Sequence, residues 1–143
     1  MTKTKAILIG AGDRGAKAYA PYARNYPHEL EFVAVAEPNK DRRDIFAEQY
    51  DLDESQCFDT WQELLAADVE ADVAFICTLD KGHYEPTMAA IEKGYHILLE
   101  KPMSPDPKEC IEMTEAAKKH DRMLTICHVL RYTPFWRAIK KVI

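Results

Sequence analysis

Short apolar runs and longer segments of mixed apolar and charged residues alternate along the whole chain. Residues 5–9 are almost continuously apolar and include β-branched Ile7 and Ile9, which predicts a buried strand. Residues 13–25, rich in Ala and Tyr, predict a first helix that stops near Pro27. A second strand is expected over 30–36, where Phe32, Val33 and Val35 are apolar, with its end at Glu37-Pro38-Asn39. The charged segment 40–50 carries Ile45, Phe46 and Tyr50 as one apolar stripe and predicts a second helix. An irregular stretch follows. Thr60-x-x-Glu63 is a capping box that opens a short helix over 61–67. A third strand is expected over 72–77, where Val73, Ala74, Phe75 and Ile76 are continuously apolar rather than alternating, as in a parallel strand covered on both faces. After a loop at 78–82, a helix is expected over 83–93, with Pro86 tolerable only in its first turn and Gly94 as its stop. A fourth strand at 95–99 breaks at Glu100-Lys101-Pro102, a helix covers about 106–120, and a fifth strand covers 123–127. In the last segment, 133–143, Phe135, Ile139 and Val142 share one helical face.

Strands alternating with helices over the whole length imply right-handed crossovers and a doubly wound parallel sheet, a three-layer α/β/α Rossmann fold. The turn after the first strand, Gly10-Ala11-Gly12-Asp13-Arg14-Gly15, has the G-x-G-x-x-G spacing. Gly10 lets the chain turn off the strand, Gly12 lets the backbone approach a pyrophosphate, and Gly15 lets the next helix pack closely on the sheet. The anion would then rest on N–H groups at a helix N-terminus. Glu37 stands 22 positions after Gly15, close to the roughly twenty expected for the acidic residue that holds an adenosine ribose.

Composition narrows the class further. With 143 residues the chain fits one domain, and 47% apolar with 30% charged residues is ordinary for a water-soluble globular fold. A formal net charge of −5 argues against nucleic acid and anionic membrane as partners. Cys57, Cys77, Cys110 and Cys127 form no C-x-x-C pair and the histidines supply no zinc spacing, so no metal is expected. The N-terminal apolar run ends at Gly10, well short of a signal core or a membrane span, and a cytoplasmic protein with reduced thiols follows. Because the last segment offers an apolar helical face with no cap or polar tail, the chain is expected to be the front part of a longer protein.

By Glu100-Lys101-Pro102 the motifs are specific enough to compare. The chain resembles the N-terminal domain of the Gfo/Idh/MocA family of oxidoreductases, which includes glucose-fructose oxidoreductase and inositol dehydrogenase. The matching features are Gly10 to Gly15, Glu37-Pro38, Thr78 with His83, Glu100-Lys101-Pro102, and His128-Val129-Leu130-Arg131-Tyr132-Thr133-Pro134. All follow predicted strands, on the edge where open α/β sheets bind ligands. The resemblance implies an NAD(P)-binding domain at residues 1–128 and, at 129–143, the start of the connection to a substrate domain. That second domain, which in the family usually adds an Asp and a His to the catalytic set, is expected to lie outside these 143 residues. Thr78-Leu79-Asp80 also departs from the Thr-Pro-Asn type common in the family.

The same resemblance implies hydride transfer between a nicotinamide and the carbinol carbon of a sugar, cyclitol or polyol, by a homo-oligomer at full length. Isolated, this part is expected to bind dinucleotide and to turn over little or nothing. An NAD-dependent glycosidase of the same family, or a domain that senses NAD(P) without chemistry, stand as alternatives. Lys101 is the candidate catalytic residue, a cation able to hold a substrate hydroxyl and stabilise its alkoxide-like oxygen; the competing reading is a solvated turn lysine. Candidate cofactor contacts are Gly10, Gly12, Asp13, Arg14, Gly15, Glu37, Arg42, Thr78, His83, Glu100, Lys101, His128 and Arg131. Glu100 either contacts the cofactor, positions Lys101 or is a charged strand terminus. His83 either shapes the pocket or caps and packs. Glu37 favours NAD by repelling a 2′-phosphate, while Arg42 and Arg43 leave NADP open. Cys77, Cys127, Trp61 and Trp136 are read as packing residues.

Overall fold

A computed structural model of the chain describes residues 2–143. Its centre is a six-stranded, all-parallel sheet made of β1 (Thr4–Ile9), β2 (Leu30–Ala36), β3 (Cys57–Phe58), β4 (Val73–Ile76), β5 (His96–Leu99) and β6 (Leu124–Ile126). The strand order is β3-β2-β1-β4-β5-β6, so the winding direction reverses between β1 and β4. Ligands of open α/β sheets bind beside such a reversal, outside the carboxyl ends of the strands. The fold is the expected doubly wound one, with one strand more than the apolar pattern predicts. The extra strand, β3, is two residues long and pairs only with Val35 and Ala36, too short for any periodicity to register.

Both faces of the sheet are covered, as its continuous apolar strands require. On one face Ile7, Ile9, Ala74, Ile76, Ile97 and Leu99 pack against Leu64 and Leu65 of α3 (Trp61–Ala66), Ala90 and Ile91 of α4 (Tyr84–Glu92), and Met113 of α5 (Pro107–Lys119). On the other, Ala6, Leu8, Phe32 and Phe75 meet Ala20, Ala23 of α1 (Pro21–Asn25) and Phe46 of α2 (Lys40–Gln49). Each of these large side chains contributes about 1.5–3 kcal/mol through burial. The sequence signals at helix ends are realised: Thr60 and Glu63 form the capping box of α3, and Pro86 lies in the first turn of α4.

The segment expected as one helix over 13–25 is two pieces. Asp13–Tyr19 is wound wide, with Ala20 N donating to Gly15 O, and α1 starts only at Pro21. Proline has no N–H and its ring collides with the carbonyl four residues back, so Pro21 must begin a helix rather than sit inside one. The last helix, α6 (Pro134–Val142), leaves Phe135 66% and Trp136 46% exposed, so Trp136, read as a packing residue, meets the edge of the Phe135 ring and is otherwise largely uncovered. Trp61, by contrast, packs against the core.

Candidate functional site

One row of hydrogen bonds extends the sheet past the last residue of β1, β2, β4, β5 and β6. Gly10 N donates to Ala36 O, Cys77 N to Ile9 O, Glu37 N to Phe58 O, Glu100 N to Ile76 O and Cys127 N to Leu99 O. Five motif segments far apart in sequence are thereby fixed along one edge. Gly10 has φ +95°, and a Cβ there would lie 2.6 Å from the Cys77 carbonyl oxygen. At Gly15 a Cβ would lie 2.2 Å from the Gly10 oxygen. Gly12 is different. Nothing stands within 4 Å of where its Cβ would point, so the loop is open on that side and its backbone is accessible to a phosphate. Asp13, just beyond, spends its carboxylate on Lys17, and that contact, reinforced by Arg42, holds its carboxyl below the usual range.

Glu37 is buried rather than solvated, at 6% exposure. Its carboxylate accepts the Ala11 N–H at 2.8 Å and the Asn39 N–H at 3.0 Å, tying the glycine loop to the turn after β2. Each oxygen keeps acceptor capacity for a ribose hydroxyl. The two arginines separate: Arg43 donates to the Glu37 carbonyl and pairs with Asp59, whereas Arg42 is exposed and has no ion pair among the described residues. Arg43 is therefore removed as a phosphate ligand.

Glu100 joins the glycine loop to the end of β5. It accepts from Arg14 Nε at 2.7 Å, from the Tyr19 hydroxyl, and from its neighbour's backbone, Lys101 N, at 2.8 Å. Arg14 Nη2 also donates to the Tyr19 oxygen at 3.0 Å. Burial pushes the Glu100 carboxyl up, but the hydrogen bonds from Tyr19, Arg14 and Lys101 N outweigh it and the net shift is downward. The same contacts push Arg14 up, and burial, followed by Cys127 and Glu100, pushes Tyr19 up. Burial likewise raises the thiols of Cys77 and Cys127, away from nucleophilic use. Glu100 thus positions Lys101 through its backbone, while Tyr19, absent from the sequence reading, completes the link.

A group ionised more readily in the folded state stabilises it above its ordinary value, here 4.5, and that contribution disappears as the pH falls through the lowered value. Glu100→Gln is expected to cost about 1–3 kcal/mol at neutral pH, because Arg14 and Tyr19 lose a charged partner. Urea unfolding at pH 7 and pH 3 checks this: the loss should shrink at the lower pH.

Arg14, Lys101, Cys127, His128, Val129, Leu130 and Arg131 line one open cleft of about 770 Å³ beside this network. Lys101 is exposed, and its ammonium has no hydrogen-bond or ion-pair partner among the described residues. The Thr78 hydroxyl is spent inside its own loop, on Gly82 O at 2.8 Å. His83 is fully buried and binds two carbonyls, which makes it part of the framework. Among the described residues no three His, Cys, Asp or Glu side chains gather as a metal site, and no helix is long and apolar enough to cross a membrane.

A glycine loop open at its middle residue, a buried carboxylate at the end of β2 and an unpaired lysine past β5 fit a dinucleotide, and with the strand order they define a nucleotide-binding Rossmann domain. Residues 4–128 match the family described as an oxidoreductase family with an NAD-binding Rossmann fold, Gfo/Idh/MocA, and the chain belongs to that family. It is 34% identical over 122 residues to D-glucoside 3-dehydrogenase of Escherichia coli, covering 84% of this chain and 33% of that protein. It is 27% identical to inositol 2-dehydrogenase of Corynebacterium glutamicum, covering 95% and 40%. The chain therefore spans about a third to two-fifths of these curated relatives. Among solved structures, the WlbA dehydrogenase of Chromobacterium violaceum, in complex with NADH and UDP-GlcNAcA, superposes with a TM-score of 0.89 at 20% identity, covering 99% of this chain and 40% of the other, a likeness of fold.

Proposed function

We propose that the protein to which this chain belongs is an NAD(P)-dependent dehydrogenase that moves hydride between the nicotinamide and the carbinol carbon of a sugar, cyclitol or related polyol. The observation that carries the reading is Lys101, an unpaired ammonium lining a cleft that Arg14 of the glycine loop also lines. When bound, the dinucleotide supplies the hydride acceptor. The chain's own part is binding and electrostatics. Gly12, Asp13, Arg14 and Gly15 bind the pyrophosphate through backbone N–H groups, Gly10, whose own N–H is held by Ala36 O, shapes the turn that presents them, and Glu37 takes the ribose hydroxyls. Arg42 faces the same end. Lys101 holds the substrate hydroxyl and stabilises the negative charge that grows on its oxygen as the hydroxyl proton passes to a base that the substrate domain would supply. His128 and Arg131 complete the cleft, and His83 links the Thr78 loop to the loop that carries Lys101. The names of the relatives, a glucoside and an inositol dehydrogenase, favour polyhydroxylated substrates.

In this reading residues 1–128 are the cofactor domain and residues 129–143 begin the connection to a substrate domain. The acidic balance favours neither nucleic acid nor membrane as partner. Four free thiols suit a cytoplasmic location, and the full-length protein is a homo-oligomer. Titration of the chain with NADH and NADPH tests the centre of the proposal. NADH is expected to bind about tenfold tighter, roughly 1.4 kcal/mol, because the Glu37 carboxylate repels a 2′-phosphate. Glu37→Gln should narrow that ratio, and if neither nucleotide binds the reading fails.

A further inference from the structure

His83 is 0% exposed, yet both of its ring nitrogens face backbone carbonyl oxygens. Nδ1 is 2.7 Å from the Pro102 oxygen and Nε2 is 3.1 Å from the Thr78 oxygen. These carbonyls belong to two different loops, the one after β4 and the one after β5 that carries Lys101. Among the described residues no other side chain spans the pair: Thr78 Oγ1 closes on Gly82, and the Glu100 carboxylate is turned toward Arg14, Tyr19 and the Lys101 N–H. The nearby charges Asp80 and Lys81 are exposed, so the ring's polar partners are the two carbonyls.

We propose that His83 is a positioning residue for Lys101, which it fixes by donating Nδ1–H to the carbonyl of Pro102, the residue immediately after the lysine. The proposal rests on the reading of Lys101 as the group that meets the substrate oxygen. A neutral imidazole has a single N–H, and the shorter contact assigns it to Nδ1. Nε2 then faces the Thr78 oxygen with no proton of its own to give, so the hydrogen bond of the ring goes to the loop that carries Lys101. A lysine on a four-carbon stem needs such an anchor, since only its backbone can be fixed without occupying the ammonium.

Two measurements test this. In nitrogen-resolved NMR of the unaltered chain, the neutral His83 ring is expected to carry its proton on Nδ1; a neutral Nε2–H tautomer overturns the proposal. In the full-length protein, His83→Asn places an amide N–H near the Nδ1 position and His83→Gln places one near Nε2. His83→Gln should lower kcat by about 20-fold or more, on the scale that a misplaced catalytic group costs. His83→Asn should stay within about fivefold, with KM for the nucleotide unchanged in both. Losses of kcat that follow thermal stability, equal in the two variants, overturn the positioning role. Should Lys101→Ala leave turnover intact, the reading of the site fails, while the tautomer still reports separately on the Pro102 bond.

Discussion

Gly12→Ala is expected to fold like the natural chain and lose at least tenfold in NADH affinity, whereas Gly15→Ala is expected to lose much of the fold. The two glycines lie three residues apart in one motif, and the space around them sets the difference. Gly12 has φ −76° and ψ −166°, extended backbone that any residue adopts, and a Cβ there meets nothing within 4 Å. An added methyl therefore leaves the folded state near its original stability, within about 0.5 kcal/mol. It does fill the place where a pyrophosphate must touch the backbone, and the tenfold loss corresponds to about 1.4 kcal/mol. At Gly15 the new Cβ would stand 2.2 Å from the Gly10 carbonyl oxygen, 3.0 Å from Leu8 Cδ1 and 3.3 Å from Cys77 Cβ. The nearest atom is backbone, held by the end of β1, and cannot rotate away as a side chain tip would. Overpacking of this kind costs about 1–3 kcal/mol when side chains yield, and more when backbone must. Urea unfolding with calorimetric titration separates the two variants. If Gly12→Ala binds NADH as tightly as the natural chain, the glycine loop is not the pyrophosphate site.

The sheet was legible because β1, β2 and β4 carry continuous apolar runs of four or more residues and β5 and β6 shorter ones, all between turn signals, and the site edge was legible because motifs follow those runs. β3 was not, since Cys57 and Phe58 have two residues and no period, and their pairing with Val35 and Ala36 is decided by the neighbouring strand. The break before Pro21 was readable in principle, but alanine content pointed to one helix and outweighed the proline. Side-chain partnership was the least accessible level. Arg42 and Arg43 are adjacent and chemically identical, yet only the second points back to the Glu37 carbonyl and Asp59. Tyr19 read as one residue of an Ala- and Tyr-rich helix, and its hydroxyl reaches Glu100, 81 positions away, only because the wide turn and β5 meet at the sheet edge. Periodicity reports which face a residue shares with its neighbours in sequence; it carries no signal for a polar contact between distant segments.

Lys101→Ala in the full-length protein is expected to lower kcat by about 10²–10⁴-fold while changing nucleotide affinity by less than about twofold. The ammonium is exposed and unpaired, so its removal breaks no contact within the fold, and stability should change by no more than about 0.5 kcal/mol. Glu100 grips the Lys101 N–H, which alanine retains, so the loop keeps its course. Only the charge aimed into the cleft disappears, and that charge acts where negative charge develops on the substrate oxygen rather than on the resting nucleotide. An equal loss in kcat and kcat/KM for the polyol would mark an interaction made in the transition state. Lys101→Arg should restore little, because a planar guanidinium cannot take the place of a compact ammonium at one oxygen. Unchanged function in Lys101→Ala would instead make the domain a nucleotide sensor, and activity without net nicotinamide reduction in the natural protein would favour the glycosidase chemistry. The lysine variant therefore separates chemistry from sensing, and the accumulation of NADH separates the two chemistries.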